Sequence, residues 1–221
     1  PSHLVAGVEI TRNVLDRRLA LRQQLRQALG IPQDSPLVVT LSANIKGKGL
    51  QVLGRAWPAV LAACPRARWL LCGPQSPWLR DRVLPPLFEA GLGESLTMTG
   101  ALSGTAVFEH LACADLHLNP SLCEGLNMVT VEAAAVGTPS ITTSATGIAD
   151  WVTRFACGDV VPPSDSGALA DAIIRAFSNT GLLPAWSAAA VEMSREFAPD
   201  RVARQLLEIL QAAANSNTYS P

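Results

Sequence analysis

The sequence predicts a doubly wound α/β fold, a Rossmann-like parallel sheet with helices on both faces. Three observations carry that reading. Short apolar runs bounded by turn residues alternate with stretches of helical period along nearly the whole chain. Apolar residues make up 48% of the 221 and charged residues only 16%, a balance suited to strands buried on both faces. Polar, glycine-containing clusters follow the apolar runs, which is where a sheet of this class binds ligands.

The elements follow in order. A helical pattern over 16–29 opens the domain, and Leu37 to Leu41, set between Pro36 and Ser42, is the first strand. A helix over 49–63 leads to a strand at Arg68 to Cys72, a helix over 79–91 to Ser95 to Thr99, and a helix over 104–113 to Asp115 to Asn119. A helix over 125–136 precedes the fifth strand, Ser140 to Thr143, and helices over 166–178, 184–195 and 199–214 complete the cover. Strict alternation of this kind implies parallel strands joined by crossover helices. The expected organisation is a linker and domain start at 1–15, one domain at 16–214 and a disordered tail at 215–221. The chain opens at Pro1 with no initiator Met, so it is expected to be a piece of a longer protein.

Composition excludes several classes. A formal net charge of −1, with Arg17, Arg18, Arg22 and Arg26 scattered along one helix, leaves no basic footprint for nucleic acid. No run approaches the roughly 18 to 20 apolar residues that span a bilayer, and no leader pattern opens the chain, so a cytoplasmic location is expected. The five cysteines form no C-x-x-C pair and are expected to be buried thiols. The first strand leads into SANIKGKG, which is not the G-x-G-x-x-G of a dinucleotide site. It also departs from a P-loop, with Ser42 in place of the first glycine and Gly49 in place of the magnesium-holding Ser or Thr. No D-x-D pair exists to hold a metal, so no metal site and no separate cofactor are expected.

The strongest local signal runs from Glu124 to Glu132, a loop carboxylate and Gly125 followed by a helix that carries a second carboxylate. The unpaired N–H groups of Leu126, Asn127, Met128 and Val129, at the positive end of the helix dipole, suit a diphosphate. Glu132, about two turns in, has the chemistry to accept hydrogen bonds from a ribose diol, and Glu124 to meet a sugar hydroxyl. A plain alternative is that Glu124 caps the helix and Glu132 is a solvated acid.

The stretch PSLCEGLNMVTVEAAAVGTPSITTSATGIADWV resembles the signature of the retaining GT-B glycosyltransferases of family 4. Ala6-Gly7-Val8-Glu9 is similar to the turn that opens their carboxy-terminal domain, Lys48-Gly49 to their K-G, and Gly73-Pro74 to their glycine loop. The resemblance covers nearly the whole chain. It implies half of a GT-B enzyme that binds a UDP- or GDP-linked sugar, with the acceptor on an amino-terminal domain of the same full-length protein. The isolated chain would then bind the donor without completing a transfer, and peripheral association of the full protein with a membrane stays open.

Residue by residue, the resemblance implies that Glu132 holds the ribose, Glu124 contacts the transferred sugar and backbone N–H groups around Asn127 and Met128 meet the diphosphate. Lys48 would neutralise the leaving diphosphate. Gly73 and Gly147 would admit close approach of the nucleotide. The family commonly has an Arg where this chain has Ala43, and Lys46 is a candidate substitute with a point charge in place of a fork. Asn127 replaces the usual Gly or Pro, and Thr146 a glycine. His110 and His117 are read as core or surface histidines and Cys123 as a packing or lining thiol. The rival readings are a degenerate binding or partner module and half of a sugar-nucleotide epimerase.

Overall fold

The computed structural model describes residues 11–42 and 46–216. Residues 11–16 form α1, the stretch of the expected linker that is described, and Val14 there is buried in the core. The remaining helices are α2 (Arg18–Ala28), α3 (Leu50–Ala63), α4 (Leu84–Glu89), α5 (Thr105–Cys113), α6 (Met128–Ala135), α7 (Ala149–Phe155), α8 (Ser166–Ser178), α9 (Leu182–Arg195) and α10 (Pro199–Ser216). The strands are β1 (Leu37–Leu41), β2 (Arg68–Cys72), β3 (Leu96–Gly100), β4 (Leu116–Asn119), β5 (Ser140–Thr143) and β6 (Gly158–Val161). All six are parallel, in the order β3-β2-β1-β4-β5-β6.

The sheet is doubly wound, as the alternation of elements requires. Period-two alternation sends Leu37 and Val39 of β1 to the face covered by α1, α2 and α5, while Val38 joins α3, α4 and α8 on the other. Strand and helix Trp side chains meet on that second face: the Trp57 and Trp69 ring centroids lie 5.7 Å apart. Their indole N–H groups donate to Ser95 Oγ and Thr40 Oγ1, each at 2.8 Å, so both polar tips are satisfied in the core.

The structure departs from the expected elements at several points. A sixth strand, β6, and the helix α7 before it were not among the expected elements; β6 is only four residues long and carries Gly158 and Asp159. The helix expected over 79–91 begins as a π-helical turn, Leu79–Val83, ahead of Pro85 and Pro86 in α4, where proline N–H groups are missing. The helix expected over 125–136 begins only at Met128, because Asn127 is left-handed and caps it. Of the five cysteines, Cys72, Cys113 and Cys157 are buried as expected, while Cys64 is half-buried and Cys123 exposed; all are free.

Arg26, wholly buried, donates to Cys113 O, Gln33 O and Ser35 O and to Asp115 Oδ2 at 2.9 Å, tying α2 to the amino end of β4. Asp115 also accepts from Arg22 and from the Leu37 N–H. In α10, Val202, Leu206, Ile209 and Leu210 follow helical spacing along one side and are all exposed. No helix among the described residues is long and apolar enough to cross a membrane.

Candidate functional site

The strand order reverses between β1 and β4, and the loops leaving their carboxyl ends diverge there to form the crevice where such sheets bind ligands. The loop after β1 enters a 3-10 turn, Lys46–Lys48, and then α3. The loop after β4 runs from Pro120 to Asn127 and then into α6. Leu122 N donates to Gly47 O at 2.8 Å, joining the two loops. Gly49, at φ 69°, caps α3 where a Cβ would overlap the carbonyl of Pro120. The left-handed backbone and the close approach both require glycine there.

That contact brings Lys48 and Glu124 together. The Lys48 ammonium pairs with Glu124 Oε1. Glu124 Oε2 accepts from Ser121 Oγ and from Asn127 Nδ2, each at 2.7 Å. Burial pushes the Glu124 carboxyl up, but the hydrogen bonds from Lys48, Ser121 and Asn127 and the Lys48 charge outweigh it and hold the group below the usual carboxylate range. Glu124 is therefore an ionised group fixed by three donors.

Polar residues behind it form a continuous layer. Ser121 Oγ is shared with Asn119 Oδ1 at 2.8 Å, Asn119 Nδ2 reaches Thr142 Oγ1, and Thr142 bonds Thr146 at 2.9 Å. The loop after β5 closes the back: Glu124 N donates to Ala145 O, and Gly147 N to Gly125 O at 2.8 Å. A Cβ on Gly147 would lie 3.1 Å from Gly125 O, so this glycine serves loop-to-loop contact.

In front, no hydrogen bond engages the N–H groups of Leu126, Asn127, Met128 and Val129 among the described residues. Thr130 N is already taken by Asn127 Oδ1 at 2.9 Å. Of the four, only Met128 and Val129 belong to α6; Leu126 and Asn127 precede it. Glu132 consequently stands one turn inside the helix. It is half-buried with no hydrogen-bond or ion-pair partner among the described residues, and burial raises its pKa.

The remaining expected residues sort as follows. Lys46 is exposed on the 3-10 turn, two residues before Lys48, and Gly125 is exposed beside Glu124. Gly73, at φ 145°, ends β2 beside β1 and donates to Gly100 O at 2.8 Å. Ala43 and the 6–9 turn lie outside the described residues. His117 is a core histidine, with Nδ1 2.9 Å from Ser140 Oγ, and burial depresses it to about 4 although Glu124 draws it upward. Ser121, Asn119 and the Asn127 side chain were missed as site residues; only their adjacence to Glu124 marked them in the sequence.

A cleft of about 240 Å³ opens at the opposite, amino ends of β4 and β5, lined by Arg18, Arg22, Asp115, Pro139 and Ser187. Arg18 there already donates to Ala112 O, Ala114 O, Thr138 and Ser187, so the cleft marks a structural clasp away from Glu124.

The pattern of the family described as glycosyl transferases group 1 matches residues 35–179, which include both loops and all of α6. The chain belongs to the group 1 glycosyl transferases. This glycosyltransferase chain is 29% identical over 178 residues to the GDP-mannose-dependent alpha-(1-6)-phosphatidylinositol monomannoside mannosyltransferase of Mycolicibacterium smegmatis, covering 77% of the chain and 45% of that protein. Sucrose-phosphate synthase from Thermosynechococcus elongatus is similar in structure, with a TM-score of 0.74 and 26% identity over 87% of the chain and 49% of the synthase. The Anabaena protein HepE, solved in complex with UDP and glucose, has the same fold, with a TM-score of 0.74 and 22% identity over 87% of the chain and 52% of HepE. The glycosyltransferase chain spans about half the length of the curated relatives it matches, 45% in the case of the Mycolicibacterium smegmatis protein. A carboxy-terminal GT-B half is consistent with that span and with the six-stranded parallel sheet.

Proposed function

We propose that this glycosyltransferase chain binds a nucleoside-diphosphate sugar, UDP- or GDP-linked, and serves as the donor half for retaining transfer to an acceptor held by an amino-terminal domain. One observation carries the reading. A cation and a carboxylate from two separate loops, Lys48 and Glu124, meet beside N–H groups at the start of α6 that no described residue engages, with Glu132, likewise without a partner among the described residues, one turn further in. The N–H groups of Leu126 to Val129 and the dipole of α6 suit the diphosphate, and Lys48 supplies the balancing charge. Glu132, a desolvated acceptor with no donor among the described residues, suits a ribose diol, and Glu124 suits a hydroxyl of the sugar.

In the transfer, the bond from the anomeric carbon to the diphosphate oxygen breaks and its electron pair stays with the diphosphate. Lys48 and the α6 N–H groups face the charge that develops there. The acceptor hydroxyl oxygen forms the new bond to the anomeric carbon, and its proton passes to the departing diphosphate oxygen. Its relatives support both donor bases: the Mycolicibacterium smegmatis mannosyltransferase is GDP-mannose-dependent, and HepE was solved with UDP and glucose. The metal-free, retaining reading rests on the family resemblance and on the absence of D-x-D in the sequence. The epimerase reading is less well supported: it needs an acid–base pair free to exchange protons, whereas Glu124 is held by three donors and His117 is 1% exposed.

Calorimetric titration with UDP and with GDP tests the proposal. One of the two is expected to bind at micromolar to millimolar dissociation constant, unchanged by EDTA. Failure of both to bind, or affinity that disappears with chelator, would overturn it.

A further inference from the structure

Between the acid that faces the sugar and the helix end that faces the phosphates stands one side chain, Asn127. Its backbone is left-handed, at φ 56° and ψ 83°, and the residue is 8% exposed. This conformation is uncommon outside glycine, though Asn and Asp adopt it more readily than other residues. The two ends of its amide do different things. Oδ1 accepts from Thr130 N at 2.9 Å and from Thr130 Oγ1 at 2.8 Å, capping α6. Nδ2 donates to Glu124 Oε2 at 2.7 Å.

A cap needs only the oxygen. Glycine tolerates the left-handed backbone, and Ser, Thr or Asp supplies an acceptor, so neither the turn nor the helix explains the Nδ2 contact. That contact matters most when a ligand is present. A diphosphate that drew Lys48 away from Glu124 Oε1 would leave the carboxylate to its two other donors, Ser121 and Asn127. Ser121 fixes it from the strand side and Asn127 from the helix side. We infer that Asn127 is a positioning residue whose amide locks the Glu124 carboxylate to the first turn of α6, so that the sugar-facing acid is set in register with the phosphate-facing helix end.

The inference rests on the donor-site reading for its consequence, but the lock itself can be measured without ligand. Asn127→Asp keeps the capping oxygen and an acceptable residue for the backbone while replacing the Nδ2 donor by a second carboxylate. The ionisable groups facing Glu124 are Lys48 from the loop after β1 and His117 from β4; the loop after β5 contributes only backbone and Thr146.

The test uses the 221-residue chain with two probe pairs, UDP with UDP-glucose and GDP with GDP-mannose, together with carbon-13 NMR titration of the Glu124 carboxyl. In Asn127→Asp the melting temperature should hold within a few degrees and the Glu124 titration should move to higher pH. The ratio of sugar-nucleotide to nucleoside-diphosphate affinity should fall about tenfold, as expected for loss of a hydrogen bond to a charged group. Asn127→Gly, which keeps the backbone but loses both bonds, should show the same fall in ratio along with lower stability, and stands in if the Asp variant does not fold. A residue that only caps would leave the affinity ratio unchanged in Asn127→Asp and the Glu124 titration unchanged in the charge-neutral Asn127→Gly, since a new carboxylate beside Glu124 shifts its titration whatever the role of Asn127, and that result overturns the lock. If the parent chain binds neither probe pair but the Glu124 titration still moves, the lock stands and the donor-site reading falls.

Discussion

Lys48 Nζ and Glu124 Oε1 pair across the crevice although they stand 76 residues apart in the chain. Without ligand, the cation suited to a diphosphate is thus engaged by the acid suited to the sugar. Glu124→Gln should release it: affinity for free UDP or GDP should hold or tighten by up to about tenfold, while the contribution of the sugar falls. Lys48→Ala should weaken the free nucleotide by about tenfold or more. Calorimetry on both variants checks the pair. Equal losses of nucleotide affinity in the two would mean that Glu124 supports the anion site instead of competing for Lys48.

Glu132 should show opposite effects on stability and binding. Its folded pKa is raised by burial, so the ionised form is disfavoured in the folded protein and its unfavourable contribution is relieved as pH falls through that pKa. Glu132→Gln should therefore raise the melting temperature of the unliganded chain at neutral pH, at about 2–4 °C per kcal/mol relieved. The same change should weaken nucleotide binding by roughly 10- to 150-fold through loss of a charged acceptor. A variant that melts lower and binds normally would remove Glu132 from the site.

How much of this was legible in the sequence differs by kind of information. The loops containing Lys48 and Glu124 each carry a local signal, and five strands stand out as apolar runs between turns. Their meeting depends on β1 lying next to β4, which is a fact of strand order that no local pattern encodes. The strand β6 was hidden because its Gly158 looks like a turn residue, yet the reason for that glycine lies in the next strand, where a Cβ would overlap Ser140 O. Asn127 read as a mild departure from the family pattern. Its two-ended role needs the left-handed backbone and the position of Glu124, both tertiary outcomes.

His117 makes stability depend on acid. Its pKa falls from 6.5 to about 4 on folding, chiefly through burial, so the unfolded chain binds more protons across that interval. The stabilising contribution is complete above about pH 6.5 and is lost as pH falls toward 4, amounting to about 3 kcal/mol. Melting temperatures of the parent and His117→Gln should converge or cross as pH is lowered from 7 to 4. Parallel curves would show that His117 titrates normally in the folded state.

Asp115 balances a guanidinium that has no access to water. Arg26 is 0% exposed, and Asp115 receives it along with Arg22 and the Leu37 N–H. Asp115→Ala should cost about 3–5 kcal/mol, the range for removing one partner of a buried pair. That corresponds to a fall in melting temperature of about 6–20 °C. Scanning calorimetry reads it directly, and a fall below about 2 °C would show that the carbonyls of Cys113, Gln33 and Ser35 suffice for Arg26.

The absence of a side chain at Gly49 has a consequence for how such a domain is exchanged or redesigned. With Gly49 seated against Pro120 and Leu122 bonded to Gly47, the segments 46–49 and 120–127 are complementary halves of one joint. Transplanting either segment alone from a relative would mismatch the seam, whereas moving both preserves it. In recombination terms, the smallest interchangeable unit at this crevice is the pair of loops, discontinuous in the gene but continuous in space.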